Sequence, residues 1–210
     1  MGASCLHLDV GSKPVIRVDQ KLSPMEEESV ITREFLEDVM LMLLTKEEQQ
    51  VFAKEKSLVV THTFEGDIRF KVHFSFQRQT PSLLFTYISN VIGDPETLGL
   101  SREFIDLMNR KNGLIIVAGY HGSGRTSTVF SLLNYLNKTS SKYILTLERP
   151  IECVLTSKKS IIEQREIGRD SDSFLSALKF SKEGDVDIVA LSEVENIEVL
   201  ESIFGLIESG

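Results

Sequence analysis

"GLIIVAGYHGSGRTSTVFSLL", residues 113–133, decides how the rest of the chain is read. A short apolar run enters, a glycine-rich turn follows, and a helical stretch leaves with Thr126 in its first turn. A loop set this way aims backbone N–H groups and the positive end of a helix dipole at a phosphate. The pattern for such loops is G-x-x-x-x-G-K-[ST]. Gly119, Gly124 and Thr126 fall in place, and Arg125 stands where lysine belongs. A strand-to-helix turn that binds nothing uses the same letters, so the flanks carry the phosphate reading.

A phosphate loop hydrolyses nothing by itself; carboxylates must orient a water and hold a metal. Glu193 closes the apolar run "DIVALSE", and Glu148 and Glu152 lie in "TLERPIE" at the end of another run. In a parallel sheet these are carboxyl-terminal strand ends, where ligands bind. A single Glu is most often a surface charge, and it is the shared position that marks these three. The Thr126 hydroxyl and Glu193 are the candidate ligands for Mg²⁺, with Ser127 as the alternative hydroxyl.

Around the loop the rhythm is α/β. Helical patterns "REFIDLMNRK", "TSTVFSLLNYLN", "SFLSALKFSK" and "NIEVLESIFGLIE" alternate with apolar runs "GLIIVAG", "YILTLE" and "DIVALSE", with a polar segment after "YILTLE". Continuous apolar runs between helices predict a parallel sheet covered on both faces.

The first ninety residues differ. "CLHLDV" and "KPVIRVD" alternate around Gly11 and Ser12 and predict a hairpin. Ile31, Phe35, Leu36, Val39, Met40, Leu43 and Leu44 form a helical stripe, and Thr45 with Glu48 forms a capping box for the next helix. In "DIRFKVHF" Ile68, Phe70, Val72 and Phe74 face a core, while Arg69, Lys71 and His73 face away, which taken alone is a solvated basic strip. The division is 1–92 as a mixed α+β domain, 93–100 as a linker in the Gly/Asp/Pro-rich "NVIGDPETLGL", and 101–210 as the α/β part.

Composition bounds the rest. The 210 residues are 41% hydrophobic and 26% charged, with no apolar run near the about 18 to 20 residues of a membrane span. A secretory signal is not evident, so the expected compartment is the cytoplasm. A net charge of -8 argues against general nucleic-acid binding but leaves room for a nucleotide pocket. Cys5 and Cys153 have neither metal-ligand spacing nor a neighbouring partner.

Several of these stretches together resemble the secretion and type IV pilus ATPases, and within them the PilT-type pilus-retraction (twitching motility) branch. "GASCLHLDVGSKPVIRVDQKL" is similar to the family's opening hairpin, "IRFKVHFSFQRQ" to its basic strand and "GYHGSGRTS" to its Walker A loop. "ILTLERPIE" is similar to its acidic box, and "SKKSIIEQREIGRDSDSF" followed by "DVDIVALSEVENIEVL" to the stretch ending in Walker B. The early hairpin and "QREIG" point to the retraction branch rather than the pilus-assembly or type II secretion branches. The resemblance implies a PAS-like amino-terminal domain and a RecA-like P-loop ATPase domain, in a cytoplasmic homo-hexameric ring. That ring would use ATP and Mg²⁺ to draw pilin from a pilus against an inner-membrane platform protein. It implies that Gly119, Gly122, Ser123, Gly124, Arg125, Thr126 and Ser127 line the phosphates and metal, and that Arg69 and Lys71 reach nucleotide in the ring. Glu152 matches the carboxylate that activates the attacking water and Glu193 the Walker B glutamate.

The departures are Arg125 for lysine, Arg149 for the usual Asp of the acidic box, Thr86 for an expected Arg, and Ser192 for the Gly before the Walker B glutamate. The chain also stops at Gly210, before the family's histidine motif, so the expected RecA-like domain is partial. A guanidinium is planar and forked where the loop calls for one compact charge, so turnover should suffer more than binding. An impaired ATPase and a nucleotide-binding relative without turnover both stand. An unrelated P-loop kinase does not suit the amino-terminal half.

Overall fold

Alternating residues around a tight turn do form the opening hairpin. Strands Ala3–Asp9 (β1) and Val15–Val18 (β2) pair antiparallel across Gly11, which takes a left-handed φ of 82°. The computed structural model describes residues 2–89, 91–120 and 122–209, so Asn90 of the linker stretch and His121 of the glycine-rich loop lie outside it. The chain divides into two compact units, Met1–Asn90 and Val91–Gly210.

In the first unit the exposed strand Lys21–Pro24 (β3), which no sequence signal announced, extends the hairpin. Helix α1 (Arg33–Leu43) starts at Thr32, whose side chain accepts the Phe35 N–H. Ile31 before this cap and Leu36 at the fourth helical position are both buried in the same cluster, a hydrophobic staple fixing the chain's entry. Phe35, read as part of the buried stripe, is 51% exposed: burial centres on Leu36, Met40 and Leu43, which leaves Phe35 on the flank. Helix α2 (Lys46–Glu55) carries the full capping box. The Glu48 N–H donates to Thr45 Oγ1 at 3.2 Å and the Thr45 N–H to Glu48 Oε2 at 2.8 Å.

Strands Ser57–Phe64 (β4), Ile68–Gln77 (β5) and Thr80–Ile88 (β6) complete an antiparallel sheet in the order β3-β2-β1-β6-β5-β4. One face packs Leu8, Val72, Phe74, Leu83 and Phe85 against α1 and α2. Val72 and Phe74 meet the alternation expected of β5, but Ile68, its first residue, is 46% exposed. The basic residues of β5 are half-buried on the other face, where Lys71 lies opposite Thr86 and Thr86 opposite Cys5.

In the second unit the stretch read as a linker is tied to a helix. Ser131 Oγ donates to the Gly93 carbonyl at 2.6 Å, and Lys138 pairs with Asp94 at 2.5 Å. After the short helix α3 (Arg102–Asp106) come α4 (Arg125–Thr139), β7 (Tyr143–Glu148), β8 (Ile161–Glu166), α5 (Phe174–Glu183), β9 (Ile188–Leu191) and α6 (Ile197–Ser209). The three strands are parallel, in the order β8-β7-β9. Side chains of β7 alternate between two cores: Ile144 packs with Phe130, Leu133 and Leu136 of α4, while Leu145 and Leu147 pack with Phe174 and Leu178 of α5 and Val199 of α6. A strand buried on both faces is the physical reason "YILTLE" reads as continuously apolar.

One expected strand is not formed. Leu114–Ala118 joins no ladder, and Ile116 is 73% exposed. An apolar run signals an appetite for burial, yet a strand also needs a neighbour to take its backbone hydrogen bonds. Among the described residues no helix is long and apolar enough to cross a membrane.

Candidate functional site

The loop owes its shape to three glycines. A side chain at Gly119 would place its Cβ 2.4 Å from Ser123 Oγ, so the serine hydroxyl would have to turn away to admit it. Gly122 and Gly124 hold left-handed φ angles of 76° and 88°, which other residues adopt at a cost. The Ser123 N–H donates to the Tyr120 carbonyl at 3.1 Å, and α4 then starts with the Thr128 N–H on the Gly124 carbonyl at 2.8 Å. The first N–H groups of a helix have no acceptor within it. Here they belong to Arg125, Thr126 and Ser127, all exposed, at the end of a fifteen-residue helix where an anion is favoured.

A second set of groups gathers at the carboxyl ends of β7 and β8. Glu148 is 3% exposed. Its Oε1 accepts from Thr146 Oγ1 at 2.6 Å and Gln164 Nε2 at 2.9 Å, and its Oε2 from the Glu152 N–H at 3.4 Å. Burial is the main influence and raises its pKa above the ordinary carboxylate value, against the lowering pull of these hydrogen bonds. Glu148 therefore fixes the backbone at Glu152, whose own side chain is half-buried. Glu166 does similar work from β8, accepting the Ile151 N–H at 3.0 Å and pairing with Arg169 at 3.2 Å. Sequence reading missed Gln164 and Glu166, although their two-residue spacing in "EQRE" puts both on one strand face.

The third set surrounds Arg149, the residue that departs from the acidic box. Its NH1 lies 2.9 Å from Glu195 Oε2 and 3.5 Å from Glu193 Oε1. The Arg149 N–H donates to Ser192 Oγ at 3.2 Å, and the guanidinium stands 5.1 Å from the centre of the Phe174 ring. The candidate metal ligand Glu193 is thus already engaged by a cation, and Thr126 is in the first turn of α4. Among the described residues no group of three His, Cys, Asp or Glu could hold a metal ion. The side chains present do not fit a divalent cation held at Glu193.

Arg69 and Lys71 lie on β5 of the first unit, where Arg69 NH2 donates to Thr61 Oγ1 at 3.2 Å and Lys71 sits between Thr61 and Thr86 in the register. The glycine-rich loop, the acidic box and Glu193 all belong to the second unit.

Comparison with known proteins places this arrangement among relatives. Residues 92–210 match the family model described as type II/IV secretion system protein. The whole chain is 33% identical over 214 residues to the type IV pilus retraction ATPase PilT of Pseudomonas aeruginosa, covering 60% of that protein. It is 27% identical to the type IV pilus ATPase PilU of the same organism, covering 54%. Among solved structures, the pilus retraction motor PilT with bound ADP superposes on the whole chain with a TM-score of 0.90 at 30% identity, covering 61% of that chain. The chain therefore spans between 54% and 61% of the length of these relatives.

Proposed function

The chain belongs to the type II/IV secretion system protein family, and from that membership we propose that it is an ATP-binding subunit of a pilus-retraction motor that hydrolyses ATP slowly. The observation that carries the reading is the loop Gly119–Ser127, whose left-handed glycines and bare Gly119 leave the start of α4 open to a phosphate. In this reading the N–H groups of Gly122–Thr126 receive the phosphates and the Arg125 guanidinium adds a forked charge. Glu152 accepts a proton from the attacking water, held in place through its N–H on the buried Glu148. The subunit would act in a cytoplasmic homo-hexameric ring against an inner-membrane platform protein, with Arg69 and Lys71 as further phosphate contacts.

Arg125→Lys tests it. Both forms should bind a fluorescent ATP analogue, and phosphate release should rise about 10²- to 10³-fold in the variant, the usual worth of one positioned catalytic charge. Absence of nucleotide binding in both would remove the reading. Binding without turnover in both would favour a second one, a nucleotide-binding subunit that does not hydrolyse. The pairing of Glu193 with Arg149 supports that alternative.

A further inference from the structure

Strands β7 and β9 are parallel neighbours, with Leu147 opposite Leu191, so the segments leaving their carboxyl ends run side by side. That register, and not sequence proximity, brings Arg149 to Glu193 and Glu195. Its guanidinium is held from several directions: two carboxylates, the Phe174 ring, and a backbone pinned by Ser192. Phe174 is itself fully buried, so the ring is a fixed platform. Two carboxylates sharing one cation are a competitor's site as well, because a divalent ion seeks the same oxygens. The arginine has the advantage of being covalently tethered, which gives it a high effective concentration at the pair.

We propose that Arg149 is a tethered cation that closes the Glu193–Glu195 carboxylate pair to divalent metal, so that the phosphates of a nucleotide at the glycine-rich loop are bound without help from a metal held by this pair. The first half stands on the ion pairs alone, and the second rests on the nucleotide reading of the loop. The acidic box makes the residue decisive. An aspartate at 149 would leave three carboxylates and no cation, and the number of ligand charges is what tunes affinity for hard dications.

Mn²⁺ is titrated into the full chain and followed by its electron paramagnetic resonance signal, for wild type, Arg149→Gln, Arg149→Asp, and Arg149→Asp combined with Glu193→Gln. Wild type should take up no Mn²⁺ at millimolar concentration. Arg149→Asp should bind at least roughly tenfold more tightly, Arg149→Gln should show a smaller gain, and Glu193→Gln should abolish the gain. Mn²⁺ bound by wild type as tightly as by Arg149→Asp, no gain in Arg149→Asp, or a gain that survives Glu193→Gln would each overturn the proposal. If the Arg149 variants fail to fold, wild type decides alone: Mn²⁺ uptake that Glu193→Gln removes would overturn it.

In a second arm, a fluorescent ATP analogue is titrated with Mg²⁺ or with a chelator. Wild-type affinity should be the same within about twofold, while Arg149→Asp should bind roughly tenfold more tightly with Mg²⁺. A tenfold dependence on Mg²⁺ in wild type would overturn the proposal. If no form binds nucleotide, the reading of the loop fails, while the Mn²⁺ arm still decides what Arg149 does.

Discussion

Glu148 is a carboxyl group placed where its charge is expensive. Its side chain is held by Thr146 and Gln164 and shut away from water, and burial sets its pKa above the usual carboxylate value. The sign of the resulting pH dependence is fixed. A group whose folded pKa exceeds its unfolded one contributes stability that is fully present below the unfolded pKa and lost as pH rises through the folded value. Glu148→Gln keeps an oxygen for Thr146 and Gln164, gives up the long bond from the Glu152 N–H, and removes the titration. The variant should match wild type in acid and exceed it in stability at neutral pH, losing the falling limb above about pH 4. Urea unfolding midpoints across that range check it, and parallel curves for the two proteins would contradict it. Part of the placement is legible in sequence: Glu148 ends β7 as its apolar run predicts, and Glu152 follows in the segment leaving it. The Arg149 bridge to Glu193 and Glu195 is not, because it depends on which strands lie side by side, and a parallel register cannot be read from either strand alone.

At the scale of elements, local signals were trustworthy where they were self-contained. The capping box of α2 closes within four residues, so Thr45 and Glu48 announce it without any tertiary context. Thr45→Ala removes the acceptor for the Glu48 N–H and should lower stability by about 1 kcal/mol, within the usual 0.5 to 2 for such caps, read as a lower urea midpoint at unchanged slope. Elements whose stability comes from neighbours were harder. Strand β8, "IIEQRE", carries polar residues because Gln164 and Glu166 serve the site, and it reads as a polar segment. "GLIIVAG" has the stronger strand signal and no ladder at all. The first hides a strand behind functional polarity; the second shows apolar content without a partner.

At the scale of the whole molecule, each unit has its own core, one built by α1 and α2 on an antiparallel sheet and the other on both faces of β7. The chain carries a net charge of -8, which favours solubility over non-specific aggregation. Against that stands the apolar run Leu114–Ile116, in no ladder among the described residues and with 41%, 41% and 73% exposure. Such a run is a template for pairing with another chain. Ile116→Lys should slow aggregation at high protein concentration, followed by light scattering, without lowering the melting temperature, because so exposed a side chain packs against little. A large drop in melting temperature would mean that Ile116 is part of a core.

The same run also acts on the temperature dependence of stability. Unfolding raises heat capacity mainly through newly wetted apolar surface, about 0.45 cal/K/mol for each Å². The parts of Leu114, Ile115 and Ile116 that already meet water in the folded chain add nothing to that increment. Spread over a unit as long as Val91–Gly210, that reduction is about 1 cal/mol/K per residue against the about 12 to 15 of an ordinary domain, so it flattens the stability curve only slightly.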